Sequence, residues 1–398
     1  VRLIGNKTKL VPAIEDFLAR RGVTGGTLLD VFAGTASVAR HFRGRGFRVR
    51  TNDLLWSSYA IQRAYVQLGG LPDLAGVVAT APVRRFRECA GDDLAATLAF
   101  LSEGVVAREG PREGLISRQY AEGGQADRLF FSRDNGLRID AAHAQLVAWR
   151  AERRLDEDGF YLLLALLLEA ADRVANISGT YGAFLKQLQV NAKEPLRLRA
   201  PELPLGPAGR AYRGDANQTV RQVQVDTLYI DPPYNHRQYV KNYHVLEVLA
   251  ELHQVADPAV YEAAIYGKTG LRGFEDRLSA YCRKNARGGD ASCEQAFTDL
   301  VVNARAEHIV VSYSEEGILS REAIGRALAR AAGAARYDFE RDHEEVSHKR
   351  FRSDKNGRHR TYRVLEGRSR DEVREWLFYV HKPRTRVKPR SRRVAAVV

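Results

Sequence analysis

Hydrophobic and polar positions follow two alternating periods over the first seventy residues. Helical spacing runs from Lys7 to Arg21, a short apolar run fills Thr27 to Phe32, helical spacing returns over Ser37 to Arg43, and Arg48 to Asn52 reads as a second strand. That order is a β-α-β unit. From Gly70 to about Pro204 the strand pattern fades, glycines and charges punctuate the chain, and one strong helix is predicted over Gly159 to Val174. Its Tyr161, Leu164, Leu167 and Leu168 read as the core of an insertion. Strand character returns in VDTLYI (Val225 to Ile230) and HIVVS (His308 to Ser312), each ending in polar residues, where open α/β sheets place their ligands. The two halves are expected to share one sheet. No internal repeat is visible. From Lys382, KPRTRVKPRSRR holds seven basic residues and no acidic one, the composition of a flexible tail.

With 398 residues, 44% of them hydrophobic, the chain can bury the core of one large domain carrying an inserted second one. Lysine and arginine number 62 against 49 acidic residues, a net charge of +13 that suits an anionic partner, nucleic acid first among them. Solvated faces can produce the same excess, so charge alone does not choose. Cys89, Cys282 and Cys293 are too few and too scattered for a disulfide framework or a four-cysteine zinc site; no metal and a reducing, cytoplasmic setting are expected. The longest apolar run, Tyr161 to Leu168, is far short of the ~20 residues of a spanning helix, and no signal-peptide layout is seen. The chain therefore reads as soluble, with no membrane partner.

The sharpest chemical signal is Asp231-Pro232-Pro233-Tyr234, directly after VDTLYI. Two prolines can neither continue a central strand nor enter a helix, so they fix an extended exit with free backbone carbonyls. Asp231 and the Pro232 carbonyl offer two acceptors to an exocyclic amino group, and Tyr234 offers a ring for a base taken out of its stack. The bland alternative is an Asp-initiated turn with a packed tyrosine. A second signal is Asp30-Val31-Phe32-Ala33-Gly34-Thr35, a strand turning into a helix through small residues. Gly34 permits close approach of a ligand, and Asp30 can accept from an ammonium group. The spacing is not that of a dinucleotide fingerprint. Asp53, 19 residues beyond Gly34 at the end of the next strand, can grip a ribose diol or can be a solvated strand end.

In these blocks and their order the chain resembles the D12-class (Dam-like) N6-adenine DNA methyltransferases, of a type II restriction-modification subgroup. Ile4-Gly5-Asn6-Lys7 resembles the family's G-x-K segment, DVFAGTAS (Asp30 to Ser37) its F-x-G loop, Asn52-Asp53 its ribose-binding acid and Asp231 to Tyr234 its catalytic loop. The resemblance implies a Rossmann-like class I methyltransferase sheet of α/β class with an inserted, mainly helical target-recognition region. It implies S-adenosyl-L-methionine as cofactor, bordered by Leu3, Gly5, Lys7, Asp30, Phe32, Gly34 and Asp53, with Asp215 meeting its adenine. Two departures stand out: Ala33-Gly34-Thr35-Ala36 where many relatives carry more glycines, and Leu3 where some have an aromatic. The expected division is 1–69 for the first half of the methyltransferase domain with the cofactor site, 70–204 for the recognition insert, 205–381 for the second half with the catalytic loop, and 382–398 for the tail.

TYGAFLK (Thr180 to Lys186), YGKTGLR (Tyr266 to Arg272) and KRFRSD (Lys349 to Asp354) are similar to segments of that type II subgroup. Lys186, Arg237, Lys268, Arg272, Lys349, Arg350 and Arg352 are the expected DNA-binding residues, as phosphate contacts above all; each can also be a solvated surface charge. The expected partners are double-stranded DNA and a cognate restriction endonuclease, with a monomer as the acting unit. Cytosine-C5 chemistry is excluded because no cysteine follows a proline. Three alternatives stay open: adenine N6 in RNA, cytosine N4, and a silent nucleic-acid-binding subunit.

Overall fold

The computed structural model describes residues 7–110, 112–203, 206–284, 291–349 and 372–382. Leu3, Gly5, Arg350, Arg352 and the tail from residue 383 lie outside the described residues. Seven strands form one sheet: β1 (Thr27–Asp30), β2 (Arg48–Asp53), β3 (Arg210–Arg213), β4 (Val225–Ile230), β5 (Ala306–Ser314), β6 (His343–Lys349) and β7 (Glu372–His381). Their spatial order is β3-β2-β1-β4-β5-β7-β6. All neighbours are parallel except β7, which runs antiparallel to β5 and β6. This is the expected α/β class I methyltransferase sheet. The predicted strands sit where the patterning put them. β3, β6 and β7 were not foreseen.

Residues alternate across the sheet as the pleat requires. Leu28, Val49, Tyr229 and Val310 pack on helices Val11–Ala19 and Ser37–Gly44, while Leu29, Leu228, Ile309 and Val311 pack on Ala216–Gln222, Cys293–Asn303 and Arg321–Ala332. The chain works outward from β1 to β2 and β3, then returns to lay β4 on the opposite side of β1. Strand order reverses there, and the crevice at the carboxyl ends of β1 and β4 is where such sheets bind ligands.

The remaining helices share a separate apolar core. Helix Glu157–Arg173 is buried on nearly every side, as its leucine-rich run dictates, and Asp156 starts it by accepting from Gly159 N at 2.7 Å. The core draws on residues 55–198, and also on 240–274 from the segment after β4, including helix His244–Glu251. Chain exit and return lie side by side. Arg43, 1% exposed, donates to the carbonyls of Tyr65 (3.1 Å), Leu68 (2.5 Å) and Gly206 (3.4 Å). Gly206 holds φ +117° and lies so close to the Arg43 carbonyl that a Cβ would meet it at 2.2 Å. Lys382, read from composition as the first tail residue, instead donates to the carbonyls of Val302 (2.6 Å) and Ala304 (2.8 Å) behind helix Cys293–Asn303. No described helix is long and apolar enough to cross a membrane.

Candidate active site

One cleft at the carboxyl ends of β1, β2 and β4 is lined by Lys7, Asp30, Phe32, Gly34, Asp53, Asp215 and all four residues Asp231 to Tyr234. Every described residue expected at the cofactor or the catalytic loop therefore meets in one place. Strand register explains the convergence: Asp30 sits opposite both Thr51 and Tyr229, so β1, β2 and β4 end along a common edge.

The loop after β1 is shaped by its neighbours. Gly34 and Ala36 take left-handed conformations (φ +50° and +61°), the alanine immediately before helix Ser37–Gly44. Asn52 ties three strand ends together: its Nδ2 donates to the carbonyls of Val31 (3.2 Å) and Gly214 (3.1 Å), and its Oδ1 accepts from Thr219 Oγ1 at 2.9 Å. Asp53 accepts from Gly34 N (2.9 Å) and Leu55 N (3.0 Å), one bond to each oxygen. Burial pushes its carboxyl up to about 6, against the pull of those N–H groups. Asp215 caps helix Ala216–Gln222 through Gln218 N at 3.0 Å while lining the cleft.

Asp30 is buried, and its Oδ1 has no hydrogen-bond partner. Burial first, and then the charges of Asp231 and Asp53, hold its carboxyl well above the usual range. An orphaned acceptor of this kind suits an incoming cation.

Asp231 lies 3.1 Å from the ammonium of Lys7, which also meets Glu375 of β7 at 2.8 Å. Ser312 of β5 donates to the same Glu375 oxygen. Side-chain exposures of 5%, 18% and 2% for Lys7, Asp231 and Glu375 leave Asp231 as the member that reaches the cleft. Burial pushes Asp231 up to about 7; Lys7 pulls it down and Glu375 pushes it up. Burial alone would lower Lys7, but the two carboxylates outweigh it and raise it above its ordinary value. Tyr234 is half-buried, packs on the sheet's second core, and accepts through its carbonyl from Ile318 N at 2.9 Å.

Several site residues escaped the sequence reading. Glu375 directly precedes the apolar run WLFYV, a signal only once that run is known to be a strand beside β5. Tyr281 packs edge-on to Phe32 at 4.8 Å and donates to Asn217 Oδ1 at 2.7 Å. Ser279, likewise unforeseen, exchanges two hydrogen bonds (3.0 and 2.8 Å) with Gln238 across the cleft rim. Glu247, fully buried, accepts from Trp56 N, Ser57 N and Ser57 Oγ and pairs with Arg277 at 2.7 Å, joining the helical core to the cleft wall.

Of the expected DNA contacts, Lys186, Arg237 and Lys268 are exposed. Lys268 sits in the turn closed by Tyr266 and Leu271, which Tyr120 Oη (to Gly270 O, 2.7 Å), His244 Nε2 (to Thr269 O, 2.7 Å) and Arg128 Nη2 (to Gly267 O, 3.1 Å) hold. Arg272 turns inward, 3.3 Å from Glu251 and over the Tyr261 ring at 4.3 Å, so its charge is engaged within the protein. Lys349 ends β6.

The chain is similar to known proteins over most of its length. The family model of the D12 class N6 adenine-specific DNA methyltransferases matches residues 3–323. The Type II methyltransferase M.NlaIII of Neisseria lactamica is 34% identical over 88% of this chain and 92% of its own. The Type II methyltransferase M.FokI of Planomicrobium okeanokoites is 31% identical over 96% of this chain, which spans 53% of that protein. The Type II methyltransferase M.CviAII of Paramecium bursaria Chlorella virus 1 is 28% identical over 80% of this chain and 84% of its own. No solved structure matches. A family defined on adenine N6 in DNA decides against the RNA and cytosine-N4 alternatives, and the chain belongs to the D12 class of N6 adenine-specific DNA methyltransferases.

Proposed function

We propose that this protein modifies a specific site in duplex DNA, with Asp231 and the Pro232 carbonyl accepting the two hydrogens of an adenine amino group. The observation that carries the reading is the convergence of Asp231 with Asp30 and Asp53 at the reversal of strand order. Held by two acceptors, the amine is oriented toward the methyl donor, and positive charge developing on it meets the Asp231 carboxylate. Pro233 keeps the loop extended, and Tyr234 offers its ring to a base rotated out of the duplex.

The cleft fits S-adenosyl-L-methionine. Asp30, with its orphaned oxygen, would receive the amino-acid ammonium; Asp53, with acceptor capacity beyond its two backbone bonds, would hold the ribose; Phe32 and Asp215 would flank the adenine, and Gly34 would let it approach. When bound, this cofactor supplies an electrophilic methyl group. Lys7 borders it beneath the catalytic loop, and Leu3 and Gly5 are assigned there through the G-x-K resemblance. The helical core over 70–204, extended by 240–274, would read the DNA sequence, with exposed Lys186, Arg237 and Lys268 on phosphates. The type II names of the relatives support a cognate restriction endonuclease as partner. Since one chain supplies every residue named, a monomer is the proposed acting unit.

The test is transfer of labelled methyl from S-adenosylmethionine to unmethylated duplex DNA, with nucleoside analysis of the product. N6-methyladenine in DNA is expected. Asp231→Ala should lose about 10³-fold in rate while retaining DNA binding, and undiminished transfer by that variant would remove Asp231 from the reaction.

A further inference from the structure

The Lys7 contact creates a physical difficulty for the reaction. An ammonium 3.1 Å from Asp231 neutralises much of the potential that the carboxylate would exert on an amine gaining positive charge. A carboxylate whose charge is cancelled remains a hydrogen-bond acceptor but stabilises the transition state less. The structure contains a second carboxylate placed against this loss. Glu375 lies 2.8 Å from Lys7, is 2% exposed, and is held by the Ser312 hydroxyl, so it cannot turn to solvent. It comes from β7, the antiparallel strand inserted beside β5, and thus from the far side of the catalytic loop.

We propose that Glu375 is a positioning residue for methyl transfer: it takes up the charge of Lys7, so that Lys7 orients Asp231 without cancelling the negative potential that Asp231 presents to the target amine. With both carboxyls ionised the trio carries one net negative charge, and Asp231 is its only member with appreciable access to the cleft. This inference rests on the role given to Asp231 above. The other ionisable groups facing Asp231 are Asp30 at the end of β1, Tyr229 on β4, and Tyr234 and Tyr239 in the segment after it. None of them contacts Lys7 within ion-pair distance among the described residues. Glu375 raises the Asp231 pKa and Lys7 lowers it, so removing the Glu375 charge moves Asp231 downward.

The experiment follows Asp231 directly, by carboxyl ¹³C NMR titration of the full chain without cofactor, with Asp231→Asn assigning the resonance. Single-turnover methyl transfer across pH accompanies it. In Glu375→Gln the Asp231 midpoint should fall by about one pH unit or more, and the high-pH plateau of transfer should drop about tenfold. Glu375→Asp keeps the charge but withdraws it by one methylene. It should fold more readily and move the midpoint in the same direction by less, with most of the plateau retained. A slower Glu375→Gln enzyme with an unmoved Asp231 midpoint would make Glu375 a packing residue and overturn the proposal. Equal midpoints in wild type and Glu375→Asp, should Glu375→Gln not fold, would overturn it too. Full transfer by Asp231→Asn would instead remove the role of Asp231 itself.

Discussion

The cleft at the sheet edge and the helical core beside it both bury polar side chains, but partner them differently. At the cleft burial raises the carboxyls of Asp30, Asp53 and Asp231, and only Asp231 of the three meets an ammonium, that of Lys7. In the helical core the buried amides and carboxylates are held by hydrogen bonds within the protein, Asp140 by three backbone N–H groups. Asn135 donates to the carbonyls of Ala192 and Glu194 and accepts from Leu196 N, Asn176 joins Leu129, Leu185 and Gln189, and burial depresses His143 and His253 to about 4. Buried amides and carboxylates with satisfied bonds stabilise one arrangement of helices. A carboxyl kept from water with one oxygen unpartnered, as Asp30 is, costs stability and keeps affinity for a cation. Between the two lies the Glu247 and Arg277 pair, buried and charged like the cleft yet satisfied like the core.

The sharpest way to break that comparison is at the junction. Glu247→Ala strands the guanidinium of Arg277 and the N–H groups of Trp56 and Ser57, and should cost about 3–5 kcal/mol in chemical denaturation. A cost under 1 kcal/mol would mean that the junction is not what joins the two regions. Next, Leu167→Ala in the centre of helix Glu157–Arg173 should cost about 3 kcal/mol while leaving the transfer rate of folded protein within about twofold. Loss of rate without loss of stability would tie the helical core directly to the chemistry.

Acidification should separate the regions by sign. His143 and His253 take up protons in the unfolded chain below its ordinary histidine pKa but in the folded chain only near 4, so their stabilisation is lost as pH falls from about 6.5 to 4. Asp53 and Asp231 behave oppositely. The folded chain protonates them near 6 and 7, before the unfolded chain does, so they gain stability as pH falls from about 7 to 4. Hydrogen exchange at pH 7 and pH 5.5 should show protection decreasing in residues 133–173 and holding at the ends of β1, β2 and β4; parallel decreases would contradict the contrast. The smallest effect expected is on DNA. Lys186→Ala and Lys268→Ala should each weaken binding a few-fold on any sequence and reduce the salt slope by about one, as single phosphate contacts do.

Local pattern was enough wherever one short segment carries both its structure and its chemistry. VDTLYI followed by Asp-Pro-Pro-Tyr is a buried strand with a rigid exit, and β4 spans Val225–Ile230 as read. The same holds for β1, β2 and the leucine-rich helix, because apolar periodicity reports which face is buried. Helix Arg133–Ala151 was illegible since Asn135, Asp140 and His143 occupy its buried side; Asp140 accepts from Gly114, Ile116 and Ser117 N–H groups that only the fold brings near. Arg272 could be read as a DNA contact because its charge is visible in the sequence and its partner Glu251 is not.

The sequence by itself determined the α/β alternation, the family and the rigid Asp-Pro-Pro-Tyr exit of β4, each encoded in contiguous residues whose burial and backbone restrictions act locally. Tertiary structure alone decided that β7 enters antiparallel beside β5, that Glu375 thereby meets Lys7 from 368 residues away, and that 240–274 joins the helical core. Those contacts depend on which distant surfaces bury each other, and sequence neighbours do not record that choice.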